Sequence, residues 1–146
     1  MVEESNCACV RQHFQVLWND GDTGRIDEFF SPDFVNFGIP YKDARGMIQK
    51  IVSVWRTAFP DLHFQIDQML SSENTVFCEV ILSGTHRGDF VMIPPLQGPT
   101  LTPNGRRFQV KHIHRFRLQE AKIVEHFAVR DDLGMFQQLG RIVISE

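Results

Sequence analysis

Val110, His112, His114, Phe116 and Leu118 fall on one side of a period-two pattern, and Lys111, Ile113, Arg115 and Arg117 fall on the other. That alternation predicts a half-buried strand. A tight turn at residues 119–121, a second strand and a short helix over residues 132–139, capped by Gly140, complete the segment. Two histidines thus point toward an otherwise apolar side. Ionisable rings there need hydrogen-bond partners or a wet cavity, so the pattern points to a pocket.

Upstream, Val10, Phe14, Leu17 and Trp18 recur at helical spacing over residues 5–19, and Asn19-Asp20-Gly21-Asp22 supplies a stop. A second short helix over residues 23–30 buries Ile26, Phe29 and Phe30, making a helical hairpin, and Pro32 can open a turn after it. A brief strand over residues 34–37 ends at Gly38. A third helix starts near Asp43 and runs to Thr57, with Met47, Ile48, Ile51, Val54, Trp55 and Ala58 as its buried stripe. Pro60 ends it.

The remainder reads mostly as sheet: a strand over 63–70, a turn at 71–74, and a longer strand over 75–88 interrupted by Gly84. Residues 89–107 hold Pro94, Pro95, Gly98, Pro99 and Pro103, too many breakers for an element interior. They predict a loop that forms a rim or lid, with a strand fragment at 90–93. Helices first and antiparallel strands afterwards give an α+β order. A curved sheet wrapped around the first helices would enclose a cone-shaped cavity.

At 146 residues the chain is long enough for one domain, 1–146, with a sizeable core. Hydrophobic residues at 42% and charged residues at 23% are ordinary for a globular protein and exclude a disordered class. The 13 Phe suit a fold that lines a cavity, although simple core filling also accounts for them. A net charge of -3, with no basic run beyond pairs such as Arg106-Arg107, argues against nucleic acid as a partner. No apolar stretch predicts a membrane span, and residues 1–10 lack the regions of a signal peptide, so a cytoplasmic protein is expected. Cys7, Cys9 and Cys78 read as free thiols.

Several segments together resemble the SnoaL-like polyketide cyclases, also called ester cyclases, of the NTF2-like superfamily. They are Asn19-Asp20-Gly21-Asp22, Ser31-Pro32-Asp33-Phe34, Ala58-Phe59-Pro60-Asp61-Leu62, Gly84-Thr85-His86-Arg87-Gly88, residues 102–106, Lys122-Ile123-Val124-Glu125-His126 and Gln137-Gln138-Leu139-Gly140. The resemblance covers nearly the whole chain in family order. It implies an NTF2-like cone, a homodimer, and cyclisation by intramolecular aldol chemistry without metal or cofactor, as in lyases and isomerases. The family's histidine falls on His114. Its acid/base carboxylate falls on Ala128, which can neither take nor give a proton, so either another carboxylate substitutes, with Asp131, Asp61 and Glu125 the nearest by motif, or the chain runs different chemistry.

Removing a proton next to a carbonyl needs a group whose pKa approaches working pH, which an apolar cavity achieves by desolvation. The candidates for proton transfer are His114 and Asp131, with Asp61 as the replacement base. His112, His86 and Asn36 are candidate polar contacts to a hydrophobic, oxygenated small molecule, and Trp18, Trp55, Phe37 and Phe127 could stack on a flat one. Each also has a plain structural reading: Asp131 as a helix N-cap, Asp61 as turn chemistry, the aromatics as core. His112 and His114 at i, i+2 lack further ligands at metal-site spacing, so no metal is expected. The alternatives to a cyclase or isomerase are a non-catalytic module for ligand binding or dimerisation, favoured by Ala128, and an epoxide hydrolase, which would need a carboxylate facing His114.

Overall fold

The first helix, α1 (Val2–His13), buries Asn6, Cys9, Val10 and His13, and continues without a break into a wider π-wound segment, Phe14–Asn19, that buries Phe14 and Leu17. The computed structural model describes residues 1–94 and 96–146. Pro95, among the breakers of the predicted loop, lies outside the described residues. The helix starts earlier than its apolar spacing suggested, and its last turns are not α-helical. A π-turn widens the spacing between successive side chains, and such turns cluster at functional sites. Here it brings Phe14 and Trp18 to one wall. The exposed end is closed from outside: Arg56 Nη1 donates to the Trp18 and Asn19 carbonyls at 2.7 and 2.9 Å. Asn19 also exchanges two hydrogen bonds with the Phe64 backbone, tying helix to sheet.

A 3-10 turn, Thr23–Arg25, and the single-turn α2 (Ile26–Phe29) follow. The turn expected at Pro32 is instead inside strand β1 (Phe30–Asn36). Pro32 sits where the pairing of β1 with the last strand shifts register, between Phe30 and Val35, so its missing N–H costs no ladder bond. Phe37 and Gly38, at φ 50 and 76, turn β1 into the short β2 (Ile39–Pro40).

Helix α3 (Ala44–Ala58) is capped by Asp43, whose Oδ1 accepts from the Gly46 amide at 3.0 Å. Its buried stripe is Ala44, Ile48, Val52, Trp55 and Ala58. The stripe is shifted from the expected one: Met47 is exposed and Ile51 faces a cavity, because the helix packs a narrower side to the core.

Four long strands then form an antiparallel meander: β3 (His63–Ser72), β4 (Thr75–Thr85), β5 (Arg107–Gln119) and β6 (Lys122–Arg130). The sheet order is β2-β1-β6-β5-β4-β3, with β1 parallel to β6. It is a curved, unclosed sheet with the N-terminal helices against its inner face, the expected α+β arrangement. The alternation on β5 holds, with Val110, His112, His114, Phe116 and Leu118 all buried. Gly84 does not interrupt β4; it pairs with Phe108. A Cβ there would stand 2.9 Å from the Cβ of Phe59 and 3.2 Å from Phe108, so glycine is what lets Phe59 close over the sheet.

Between β4 and β5 the expected strand fragment is a single bridge, Phe90 to Leu101, with both backbone hydrogen bonds formed. Ile93, Pro94 and Leu96 from this segment reach the cavity, as a rim. Glu120 and Ala121, at φ 49 and 59, make the β5–β6 turn. Helix α4 (Asp132–Gln138) ends the ordered elements, with Gly140 at φ 71 after it. No helix among the described residues is long and apolar enough to cross a membrane.

Candidate active site

His114 lies at the centre of β5, paired with Cys78 on β4 and Ala128 on β6. Its inward neighbour diagonally across the β5–β6 ladder is His126, and the two rings stack at 5.0 Å between centroids. His114 Nδ1 and His126 Nε2 are 2.8 Å apart, and His126 Nδ1 is 2.7 Å from Asn36 Oδ1. The direction of this chain follows from its end. Asn36 uses its Nδ2 to donate to the Tyr41 hydroxyl at 2.9 Å, which leaves Oδ1 as an acceptor. With Asn36 oriented this way, His126 carries its proton on Nδ1, its Nε2 accepts, and His114 donates from Nδ1. What remains is His114 Nε2, which that arrangement leaves unprotonated and which is buried with no partner among the described residues.

Burial keeps the rings neutral. His13 and His112 are lowered to about 4 by desolvation, with Arg130 adding to the effect at His112. His126 is lowered to about 3, first by burial and then by His13 and Arg130. His114 falls well below the usual imidazole range, first by burial and then by the neighbouring histidines and Arg130.

These groups line a cavity of about 100 Å³ between the sheet and the N-terminal helices. Its remaining wall is largely aromatic, with Phe14, Phe34, Phe64, Trp18 and Trp55. An outer groove of about 660 Å³ shares Asn36, Phe37, Ile51, Ile93 and Pro94 with it, so the chamber has an antechamber bounded by α3 and β2.

Of the residues singled out from sequence, His114, His112, Asn36, Trp18, Trp55 and Phe37 are on this wall. The others are elsewhere. Asp131 caps α4, accepting from the Gly134 amide at 2.8 Å. Asp61 accepts from the amide and hydroxyl of Thr85, both at 2.7 Å, and faces Arg107 at 3.6 Å. Partial desolvation works upward on the Asp61 carboxyl, but the Thr85 bonds and Arg107 leave it below its ordinary value. Glu125 is on the outer sheet face, bonded to Arg115 and Arg117. His86 is fully buried and packs on Phe59, but it is not on the cavity wall. Phe127 points outward, 44% exposed, because it alternates with the inward His126 and Ala128.

Sequence reasoning passed over His126, His13 and Arg130. The signal for His126 and Arg130 was available: both share the parity of Ala128 on β6. No Asp or Glu is on the cavity wall among the described residues, so nothing takes the place of the carboxylate missing at Ala128. Nor is any group of three or more His, Cys, Asp or Glu arranged to hold a metal ion among the described residues.

A model of the SnoaL-like polyketide cyclases matches residues 8–139. The chain belongs to this family of cyclase-type enzymes. It is similar to the aklanonic acid methyl ester cyclase DnrD of Streptomyces peucetius, with 28% identity over 129 residues, covering 84% of this chain and 83% of that one. Solved structures share the fold. TsrD from Streptomyces laurentii has a TM-score of 0.77 at 23% identity, covering 92% of this chain and 97% of that chain. IdmH from Streptomyces antibioticus has a TM-score of 0.74 at 22% identity, covering 92% and 98%. A SnoaL-like polyketide cyclase from Agrobacterium tumefaciens has a TM-score of 0.71 at 18% identity, covering 90% and 95%.

Proposed function

We propose that this SnoaL-like cyclase closes a ring in a hydrophobic, oxygenated small molecule by intramolecular aldol chemistry, with a neutral histidine as its base and without a cofactor. The observation that supports this is the unpartnered Nε2 of His114 at the end of the Asn36–His126–His114 chain. Nε2 takes a proton from a carbon next to a carbonyl. The resulting enolate carbon bonds to a second carbonyl carbon of the same molecule, whose oxygen then recovers the proton from His114. No atom enters or leaves. The imidazolium formed in between keeps its Nδ1–H on His126, whose own Nδ1–H stays on Asn36, so the charge is shared through oriented dipoles. Asp131 and Asp61 stay in their structural bonds, and the proton work falls to His114 alone.

Dimerisation through the outer face of the sheet fits the family but adds nothing to this site. Epoxide opening would need a carboxylate facing His114, and none lines the cavity among the described residues.

The test uses aklanonic acid methyl ester, the compound in the relative's name, with a chelator present and no cofactor added. The expected outcome is a product of unchanged mass and altered chromatographic retention. Binding without any product, there and across a set of linear polyketide esters, would favour the non-catalytic alternative. Turnover that requires an added metal or cofactor would contradict the cofactor-free route.

A further inference from the structure

Among the described residues the cavity wall carries one permanently charged side chain, Arg130. It stands on β6 directly across from His112 in the β5–β6 ladder. Its counter-ion is behind it: Nε and Nη2 both bond the same carboxylate oxygen, Asp132 Oδ2, at 3.3 and 2.9 Å, and Asp132 is not on the wall. Nη1 has no hydrogen-bond partner among the described residues. The side chain is 14% exposed and tied by its two bonds to Asp132.

A cation fixed at the wall of an aromatic chamber, among neutral rings, costs desolvation that an isolated surface ion pair does not. Arg130 also opposes proton uptake by His112 and His114, which disfavours the imidazolium. Its position makes sense if a negative oxygen comes to it. Enolate formation generates one: the charge leaves the carbon and settles on the carbonyl oxygen while His114 holds the proton. A preorganised donor aimed at the place where charge develops is worth most in such a dry site.

We propose that Arg130 is the oxyanion-recognising residue of this site, binding through Nη1 the delocalised oxygen anion, of the enolate or phenolate class, of an aromatic or conjugated ligand, with Asp132 as the residue that positions it. This rests on the cyclase reading only for the origin of the enolate. The binding chemistry can be tested without turnover.

The probe is 4-nitrophenol at mildly alkaline pH, where it is a planar oxyanion, beside its uncharged methyl ether, 4-nitroanisole. Both are titrated by calorimetry into the wild type, Arg130→Gln, Arg130→Lys and the charge-balanced double variant Arg130→Gln/Asp132→Asn. The double variant leaves no partly buried carboxylate unpaired and guards against misfolding of the single one. The phenolate should lose about tenfold or more in affinity in both glutamine variants, with partial rescue in Arg130→Lys and unchanged nitroanisole binding. His114→Gln should keep phenolate binding, which separates this inference from the fate of the turnover proposal. Three results would overturn it: no phenolate binding to the wild type, equal losses for phenolate and ether, or tighter binding of 4-nitrobenzoate than of the phenolate, which would make the site a carboxylate receptor.

Discussion

Replacing His114 with glutamine is expected to lower kcat by roughly 10²- to 10⁴-fold, the usual contribution of a positioned general base, while KM changes only a few-fold. Glutamine suits the comparison. Its amide N–H can still donate to His126 Nε2, so the chain to Asn36 keeps its polarity, and its volume is close to that of imidazole. What it lacks is a lone pair on a basic nitrogen. Unchanged thermal unfolding with lost turnover would assign the base to His114; a variant with near-normal kcat would move it elsewhere. The pH profile of the wild type gives the same information from another side. His114 is held well below the ordinary imidazole value of 6.5, first by burial, then by His126, His112, His13 and Arg130. A base acts when unprotonated, so kcat/KM should stay flat through neutrality and fall only on an acid limb displaced below the usual histidine range. A limb at or above 6.5 would contradict the neutral cluster.

The same burial makes the protein acid-labile. His13 and His112 are lowered from 6.5 to about 4, and His126 to about 3. The unfolded chain takes up protons from pH 6.5 downward, whereas the folded chain refuses them until the lower values are reached. The stability present above 6.5 is therefore lost progressively as pH falls toward 4 and then 3. For His13 alone the full loss is on the order of 3 kcal/mol. Several such groups act together, coupled rather than additive, against a total stability of about 5–15 kcal/mol for a domain. Urea midpoints should fall steeply between pH 7 and pH 5, with unfolding near pH 4 in the absence of denaturant. A midpoint that is constant over that interval would mean that the histidines are solvated.

Much of this was legible along the chain. The alternation on β5 put His112 and His114 on the inner face, the Asp43 cap and Pro60 bracketed α3, and a run of prolines marked the cavity rim. The failures have physical reasons. With alanine at 128, the sequence offers Asp131 and Asp61 as proton carriers, but backbone amides claim both: Gly134 for one, Thr85 for the other. A carboxylate beside a free N–H is more cheaply satisfied locally than by being desolvated in a cavity. Phe127 was expected to stack on a ligand and faces outward, although period two on β6 separates it from His126 and Ala128. The π-turn that delivers Trp18 left no trace in the spacing of apolar residues. The diagonal bond between His114 and His126 depends on strand register, which side-chain periodicity alone does not set.

His126 changes what the absence at Ala128 means. A carboxylate beside His114 would favour its imidazolium; a neutral imidazole that is itself locked by Asn36 leaves His114 neutral, with Nε2 open to accept a proton. Nitrogen-15 NMR of the histidine side chains at neutral pH tests this directly. The account predicts His114 and His126 both as neutral rings protonated on Nδ1, with His114 Nε2 carrying the resonance of an unprotonated nitrogen. A proton on His114 Nε2, or an imidazolium at either residue, would contradict it.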